Sequence, residues 1–348
     1  MKLIIPTRSP YYFNISVDQF TQSVTWEITT KRKTASGTEN IQEESITKQV
    51  PSQDFTQMWA DVSPIIRDFY HHIPIELSDL QAGGIIRSRN DEVLRVDITV
   101  SKTVTAGPST SGSSTFDCLD GYSLFEEGQN TRTNKDILLE HDSYKMAEDG
   151  YFIVPLWVLS GSSDPTINGT PVALLSLDSP LDALQYLIIR GSDYSGDVTV
   201  AFGNDSILIE REVACKYPVY DVQFINRFGV IESMEFRAVA KKSMNITKSS
   251  FLNSFTDGTS YNTRRHQKRE YLISGMNKIT LESDYLNENY NKTIEQLMLS
   301  EKVWLRQGSN INPVNVSSNS LAFKTRVVDK LISYNLEFGF AHEIMNTV

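Results

Sequence analysis

The chain has little of what redox chemistry, metal binding and membrane insertion need. Its 348 residues include only two cysteines, Cys118 and Cys215, which are far apart and fit neither a zinc nor a CxxC pattern. Both read as small buried residues, and neither a metal nor a cofactor is expected. No apolar run approaches the ~18 residues of a membrane helix. The opening MKLIIPTRSPYYF has too little apolar sequence before Pro6 for a secretory signal, so export by the general route is not expected. Positive charge is also short: the formal net charge is -10, which argues against a protein that coats nucleic acid.

Catalytic signatures are equally sparse. No GxSxG elbow, HExxH, P-loop or GxGxxG lies in a context that would give it meaning. Five histidines are the whole supply of that acid/base group. Two of them, His71 and His72, are adjacent, so their side chains diverge on a helix or a strand and do not converge on one metal. They read as the polar exit from a short helix. Glu126 and Glu127 are likewise neighbours, whereas the two carboxyls of a glycosidase face each other across about 5–9.5 Å. The expectation is a protein that is not an enzyme.

Strand patterns fill the chain. At 40% hydrophobic and 22% charged residues the composition is that of a folded globular protein, and the length suits two or three domains. In SVTWEIT, Val24, Trp26 and Ile28 alternate with polar residues, and in LRVDITV so do Leu94, Val96, Ile98 and Val100. Between them, Ser63 followed by Pro64 is a helix start, with the serine expected to cap. The predicted fold is mainly β, two or three β-sandwich domains with a few short helices packed on the sheets. The first domain is placed at 1–105.

The Gly/Ser/Thr/Pro stretch SKTVTAGPSTSGSSTFD reads as an exposed loop or linker and sets the first boundary. A middle β domain, 106–215, follows from DGYFIVPLWVLSG, TPVALLSL, LDALQYLIIRGS and GDVTVAF. Pro155 demotes its strand to an edge or a bulge. A C-terminal β domain, 216–348, holds the hairpin YDVQF/ESMEF and a second strand pair in LAFKTRVVDKLISYNLEFGFA. In that pair Ile332, Tyr334, Leu336, Phe338 and Phe340 alternate inward. An amphipathic helix at about 284–299 is predicted from the stripe Leu286, Tyr290, Ile294, Leu297 and Met298. The cluster Arg264, Arg265, Lys268 and Arg269 could meet DNA, a lipid head group or an acidic surface on a neighbouring subunit, or lie in a solvated loop.

LDGYSLFEEGQN (119–130), VYDVQFINRFGVIESMEF (219–236) and AFKTRVVDKLISYNLEFGFA (322–341), with DVSPIIRDF (61–69), together resemble tail and neck structural proteins of tailed phages and prophages of Bacteroidota, crAss-like phages among them. The resemblance implies a virion component made in the bacterial host cytoplasm. It would form a six-fold or twelve-fold ring of its own copies around the tail or neck channel and bridge other phage proteins. Genome DNA would pass through the lumen without specific binding, and no membrane would be involved. The residues it points to as structural or assembly positions are Gly121, Tyr122, Phe125 and Gly128 in the first motif and Asn226, Arg227, Phe228 and Gly229 in the second. On this view Gly229 provides the positive φ of the turn, while Arg227 and Phe228 meet either the next subunit or their own domain. The rival reading is a host-receptor or glycan-binding tail-tip module, whose sugar sites would use exposed aromatic pairs.

Overall fold

The computed structural model describes residues 4–34, 37–51, 56–89, 91–105, 107–177, 183–213, 217–254, 256–257, 259–261, 263–322 and 332–344. The fold is mainly β, with several multi-strand sheets facing one another across apolar cores in the manner of β-sandwiches. Three α-helices are present among the described residues: α1 (Ser63–Arg67), α2 (Leu77–Ala82) and α3 (Tyr290–Leu299).

The first sheet runs in the order Ile4–Pro6, Gly107–Leu119, Leu94–Val104, Thr21–Thr34 and Gly37–Gln49. All neighbours are antiparallel except the first pair, where Ile4 lies beside Asp117 in parallel register. Val24, Trp26, Ile28, Leu94, Val96, Ile98 and Val100 are all buried, as their alternation predicts. They pack with Met58, Ala60 and Ile66, which come from a small antiparallel sheet (Tyr12–Ser16 with Gln57–Asp61) and from α1. At the start of α1 the cap differs from expectation. Ser63 already lies inside the helix, and the Asp61 carboxylate accepts its N–H at 3.1 Å. The Ser63 hydroxyl instead accepts the Tyr11 N–H at 2.9 Å, tying the helix to the neighbouring strand.

The stretch 101–117, expected as a loop or linker, is a hairpin in this sheet. Gly107–Cys118 pairs with Leu94–Val104, with one register shift between Val100 and Ser101. Small polar residues look like a linker only when their backbone has no partner. Here the ladder satisfies the backbone, and the outward side chains pair across strands, as where Thr115 donates to Asp97 at 2.6 Å. The expected boundary at 105/106 lies between two strands, Leu94–Val104 and Gly107–Leu119, that pair in one sheet.

A three-stranded sheet occupies the middle of the molecule, with Leu184–Arg190 between Tyr151–Trp157 and Gly84–Arg87. Phe152, Val154, Leu156, Leu187 and Ile189 face one core, while Ile153, Trp157, Leu184, Tyr186 and Ile188 face another. Burial on both faces explains why FIVPLWV and LQYLIIR read as continuous apolar runs. Pro155 lies on the outer strand of this sheet, as its missing N–H requires. TPVALLSL forms strand only at Thr170–Pro171. Beyond it the Gln185 side chain takes the place of a neighbouring strand, accepting from Leu175 N–H (3.1 Å) and donating to Leu175 O (3.0 Å).

A five-stranded sheet (Thr170–Pro171, Thr166–Ile167, Val198–Phe202, Asp205–Glu212, Ser143–Ala147) and a seven-stranded sheet complete the molecule. The seven-stranded sheet runs Ile231–Phe236, Tyr220–Ile225, Val303–Gln307, Asn310–Val316, Asn335–Phe340, Lys268–Glu282 and Ala240–Leu252. One apolar core joins both sheets to the middle one, bringing Tyr144, Phe152 and Val200 together with Phe224, Phe236 and Phe338. Ile332, Tyr334, Leu336 and Phe338 are buried as predicted, and Phe340 is half-buried. The expected partner strand, through residue 331, lies outside the described residues beyond Ala322, as does Cys215. Cys118 is buried.

α3 is shorter than the predicted 284–299. Leu286 is held as an isolated bridge to Ile332, its N–H donating to Ile332 O at 2.7 Å. The Asn287 side chain then accepts the Asn289 N–H at 3.1 Å, a local turn that competes with helix until Tyr290. Tyr290, Ile294 and Leu297 form the buried stripe, and Met298 packs at its margin.

Candidate functional site

Tyr220–Ile225 and Ile231–Phe236 form the predicted hairpin, with Ile225 opposite Ile231 and Asn226–Val230 as its loop. Asn226 organises that loop. Its N–H donates to Val230 O (3.0 Å), and its side-chain oxygen accepts the Phe228 N–H (3.0 Å). Its Nδ2 donates to Leu138 O and to Glu232 Oε2, both at 2.9 Å. Gly229 has φ +82°, as the turn requires.

A second reason for glycine comes from across the molecule. A Cβ on Gly229 would lie 2.5 Å from Asp120 C and Gly121 N, and one on Gly121 would lie 2.6 Å from Arg227 O. Tyr122 N–H donates to Arg227 O at 2.8 Å. The two motifs, more than a hundred positions apart, are therefore packed backbone against backbone.

Arg227 and Phe228 are engaged within their own chain. The Arg227 guanidinium reaches Glu127 at 2.5 Å and Glu140 at 3.3 Å, and it lies 5.4 Å from the Phe228 ring centre. The Arg227 backbone N–H donates to Gln296 Oε1 on α3 at 3.0 Å. Phe228 packs against the core that contains Trp157 and Ile231. Glu127, weighed at the sequence level as half of a catalytic pair, is thus an ion-pair partner, while Glu126 is exposed.

Beneath this junction is a buried ion pair. Arg8 forks onto Asp120, Nε to Oδ1 at 2.9 Å and Nη2 to Oδ2 at 3.0 Å. His72 Nε2 donates to the same Asp120 Oδ2 at 3.1 Å. Burial alone would raise the Asp120 carboxyl, but the His72 and Arg8 hydrogen bonds and the Arg8 charge outweigh it and hold the pKa down at about 2. Burial lowers the His72 pKa, favouring the neutral ring. His72 is therefore an interior partner of Asp120 and not the polar helix exit that its neighbour His71 suggests.

The other half of the first motif is at the surface. Phe125 is fully exposed on a one-turn helix, Phe125–Glu127, that ends at Gly128 with φ +80°. It borders a recess of about 530 Å³ that also includes Pro10, Tyr12, Leu124 and Gln129. Tyr12 stands edge-on to Trp59, whose ring is half exposed and has the Lys48 ammonium 4.0 Å above its centre.

Arg264, Arg265, Lys268 and Arg269 are all exposed and line one shallow depression with His266 and Glu270. They lie at the far end of a long ribbon made by Ala240–Leu252 and Lys268–Glu282. Asn335–Phe340 pairs with this ribbon only at Lys278–Glu282. From Met244 to Leu252 the ribbon is two-stranded among the described residues, and over nine residues it extends about 30 Å. Met244, Ile246, Phe251, Leu252, Tyr271, Leu272, Ile273 and Met276 are all exposed on it.

Sequence reasoning pointed to both glycines and to the basic cluster. It missed Arg8, Asp120, Glu140 and Gln296, whose partners come from distant segments, and it missed the ribbon. The signal for the ribbon was available: MNITKSSFL and YLISGM contain apolar residues without the clean alternation of a one-sided strand.

Compared with known proteins, the chain matches no family model, and no curated protein sequence is similar to it. Among the described residues no three His, Cys, Asp or Glu side chains are grouped to hold a metal ion. No helix there is long and apolar enough to cross a membrane.

Proposed function

We propose that this chain is a non-enzymatic structural subunit of a bacteriophage virion, forming a ring in the tail or neck around the DNA channel and bridging neighbouring virion proteins. The observation that carries the reading is the ribbon. A two-stranded hairpin is marginal in water, and this one exposes eight large apolar side chains, a surface suited to burial by another chain. The resemblance of its motifs to phage tail and neck proteins supplies the setting. The net charge of -10 suits a channel that lets DNA slide without gripping it.

Light scattering or mass photometry of the purified chain, followed by negative-stain imaging, tests the proposal. The expected result is a discrete ring of six or twelve copies with weak DNA binding at physiological salt. A monomer at every concentration, or tight DNA binding, would count against it.

The exposed Trp59, edge-on to a half-buried Tyr12, favours a second reading, a glycan-binding tail-tip module, because sugars stack on exposed aromatic faces. Lys48 already covers one face of Trp59. A glycan array without hits would remove this reading.

A further inference from the structure

Charge is divided unevenly between the ribbon and the rest of the molecule. Residues 240–282 contain eight Lys and Arg against three Asp and Glu, a net +5, and the whole chain is -10, so the remaining residues carry -15. The cations concentrate at the tip, where Arg264, Arg265, Lys268 and Arg269 stand beside the exposed Phe251, Leu252, Tyr271 and Leu272. Phe251 and Tyr271 already meet edge to face, ring centres 5.6 Å apart, giving the tip a formed aromatic knob. Leu272 has φ +49° where the ribbon's register shifts between Thr247 and Ser249. That conformation is unfavourable for a leucine, and it leaves the side chain three-quarters exposed.

Among the described residues the body offers a surface of matching character. The Phe125 recess is walled by Pro10, Tyr12, Leu124 and the fully exposed Phe125, with Glu126 exposed beside it. Its volume of about 530 Å³ is that of a small-ligand pocket, room for a few large side chains.

We propose that the ribbon tip of one copy seats in the Phe125 recess of a second copy, so that copies join head to tail. The inference rests on the assembly reading above and specifies its interface. Apolar contact between Phe251, Leu252 or Leu272 and Phe125 supplies the central burial, and the tip cations face an acidic body at the rim. The interface is heterologous: each copy offers one tip and one recess, which is the arrangement that closes into a ring when its rotation divides a full turn. Nucleic acid is the poorer occupant for the tip, because the acidic body repels phosphate and the aliphatic Leu252 and Leu272 offer bases no stacking face.

The test compares the mass of the full chain with that of two variants, both altered only at exposed positions. One is Arg264→Glu with Arg265→Glu, Lys268→Glu and Arg269→Glu, and the other is Phe125→Ser. Circular dichroism and thermal melting serve as folding controls. The expected result is that each variant melts as wild type but needs about tenfold or more higher concentration to assemble, as loss of a central contact implies. Introducing Leu252→Cys and Phe125→Cys together, with Cys215→Ser, should give a disulfide between copies under mild oxidation. Wild-type assembly that survives both variants and forms no such crosslink would overturn this interface while leaving the ring reading intact. A wild-type chain that stays monomeric overturns both. Tip variants that release bound DNA without changing mass would show the tip to be a nucleic-acid surface and overturn the inference.

Discussion

Gly229 is constrained twice, once by its own backbone and once by a neighbour from another part of the chain. The positive φ alone disfavours a side chain, and the 2.5 Å approach to Asp120 and Gly121 leaves no room for one. Gly229→Ala should therefore lose about 3 kcal/mol or more of unfolding free energy, read by urea denaturation. The opposing glycine makes the effect mutual: Gly121→Ala presses on Arg227 O and should destabilise similarly. Asp120→Ala leaves Arg8 without its fork and His72 without its acceptor in a buried setting, an expected loss of about 3–5 kcal/mol in the same assay. Asp120→Asn should recover part of that loss, because one oxygen still accepts.

Among elements, those whose burial pattern is local were legible. Thr21–Thr34, Leu94–Val104 and the hairpin at Tyr220–Phe236 alternate visibly, since one face meets a core and the other is polar or meets solvent. Elements defined by a distant partner were not. Residues 107–119 have a linker's composition and become strand only because Leu94–Val104 lies beside them. Leu286 carries the helical stripe but is claimed by Ile332. At the junction, the glycines stood out because positive φ leaves a sequence mark. Arg8 and Asp120 left none, because a fork between positions 112 apart has no local periodicity. The ribbon is the element most separable from the rest. Replacing residues 244–277 by a two-residue Asn-Gly turn between Ser243 and Lys278, which are directly paired, should shift the melting temperature by no more than about 4 °C. A larger drop would mean that the ribbon supports its own body.

Across the whole molecule, buried carboxyls give stability an unusual pH dependence. Burial pushes Glu92 up to about 7 against the bonds from Tyr186 and Arg89, and it pushes Glu232 up to about 7 against the bond from Asn226. A folded pKa above the unfolded value means that the contribution is complete below about 4.5 and is lost as pH rises through about 7. Asp120 acts in the opposite sense: its depressed pKa stabilises above about 4, and the gain is lost as pH falls toward 2. Melting temperature should therefore peak near pH 4–5 and decline toward pH 8. Glu92→Gln should gain about 1–3 kcal/mol at pH 8 and little at pH 5, measured by denaturant titration at both. A profile that instead rises between pH 5 and 8 would contradict this assignment.

The junction around Asp120 has a consequence for how the chain is made. Arg8 waits for Asp120, 112 positions later, Ile75 for Gln223, 148 later, and Arg67 for Glu301, 234 later. Contacts of such separation must overcome loop-closure entropy before they return any stability, so folding is slow and concentrated in late steps. During synthesis the first sheet can pair early, but its anchor to the rest remains open until nearly nine-tenths of the chain has left the ribosome. For part of that interval, until Lys268–Glu282 has followed, the apolar ribbon strand Ala240–Leu252 is outside without its partner strand. The emerging chain is therefore most exposed to premature association while that strand is alone, and pulse-labelling of ribosome-bound chains should find the window between the emergence of residue 252 and that of residue 282.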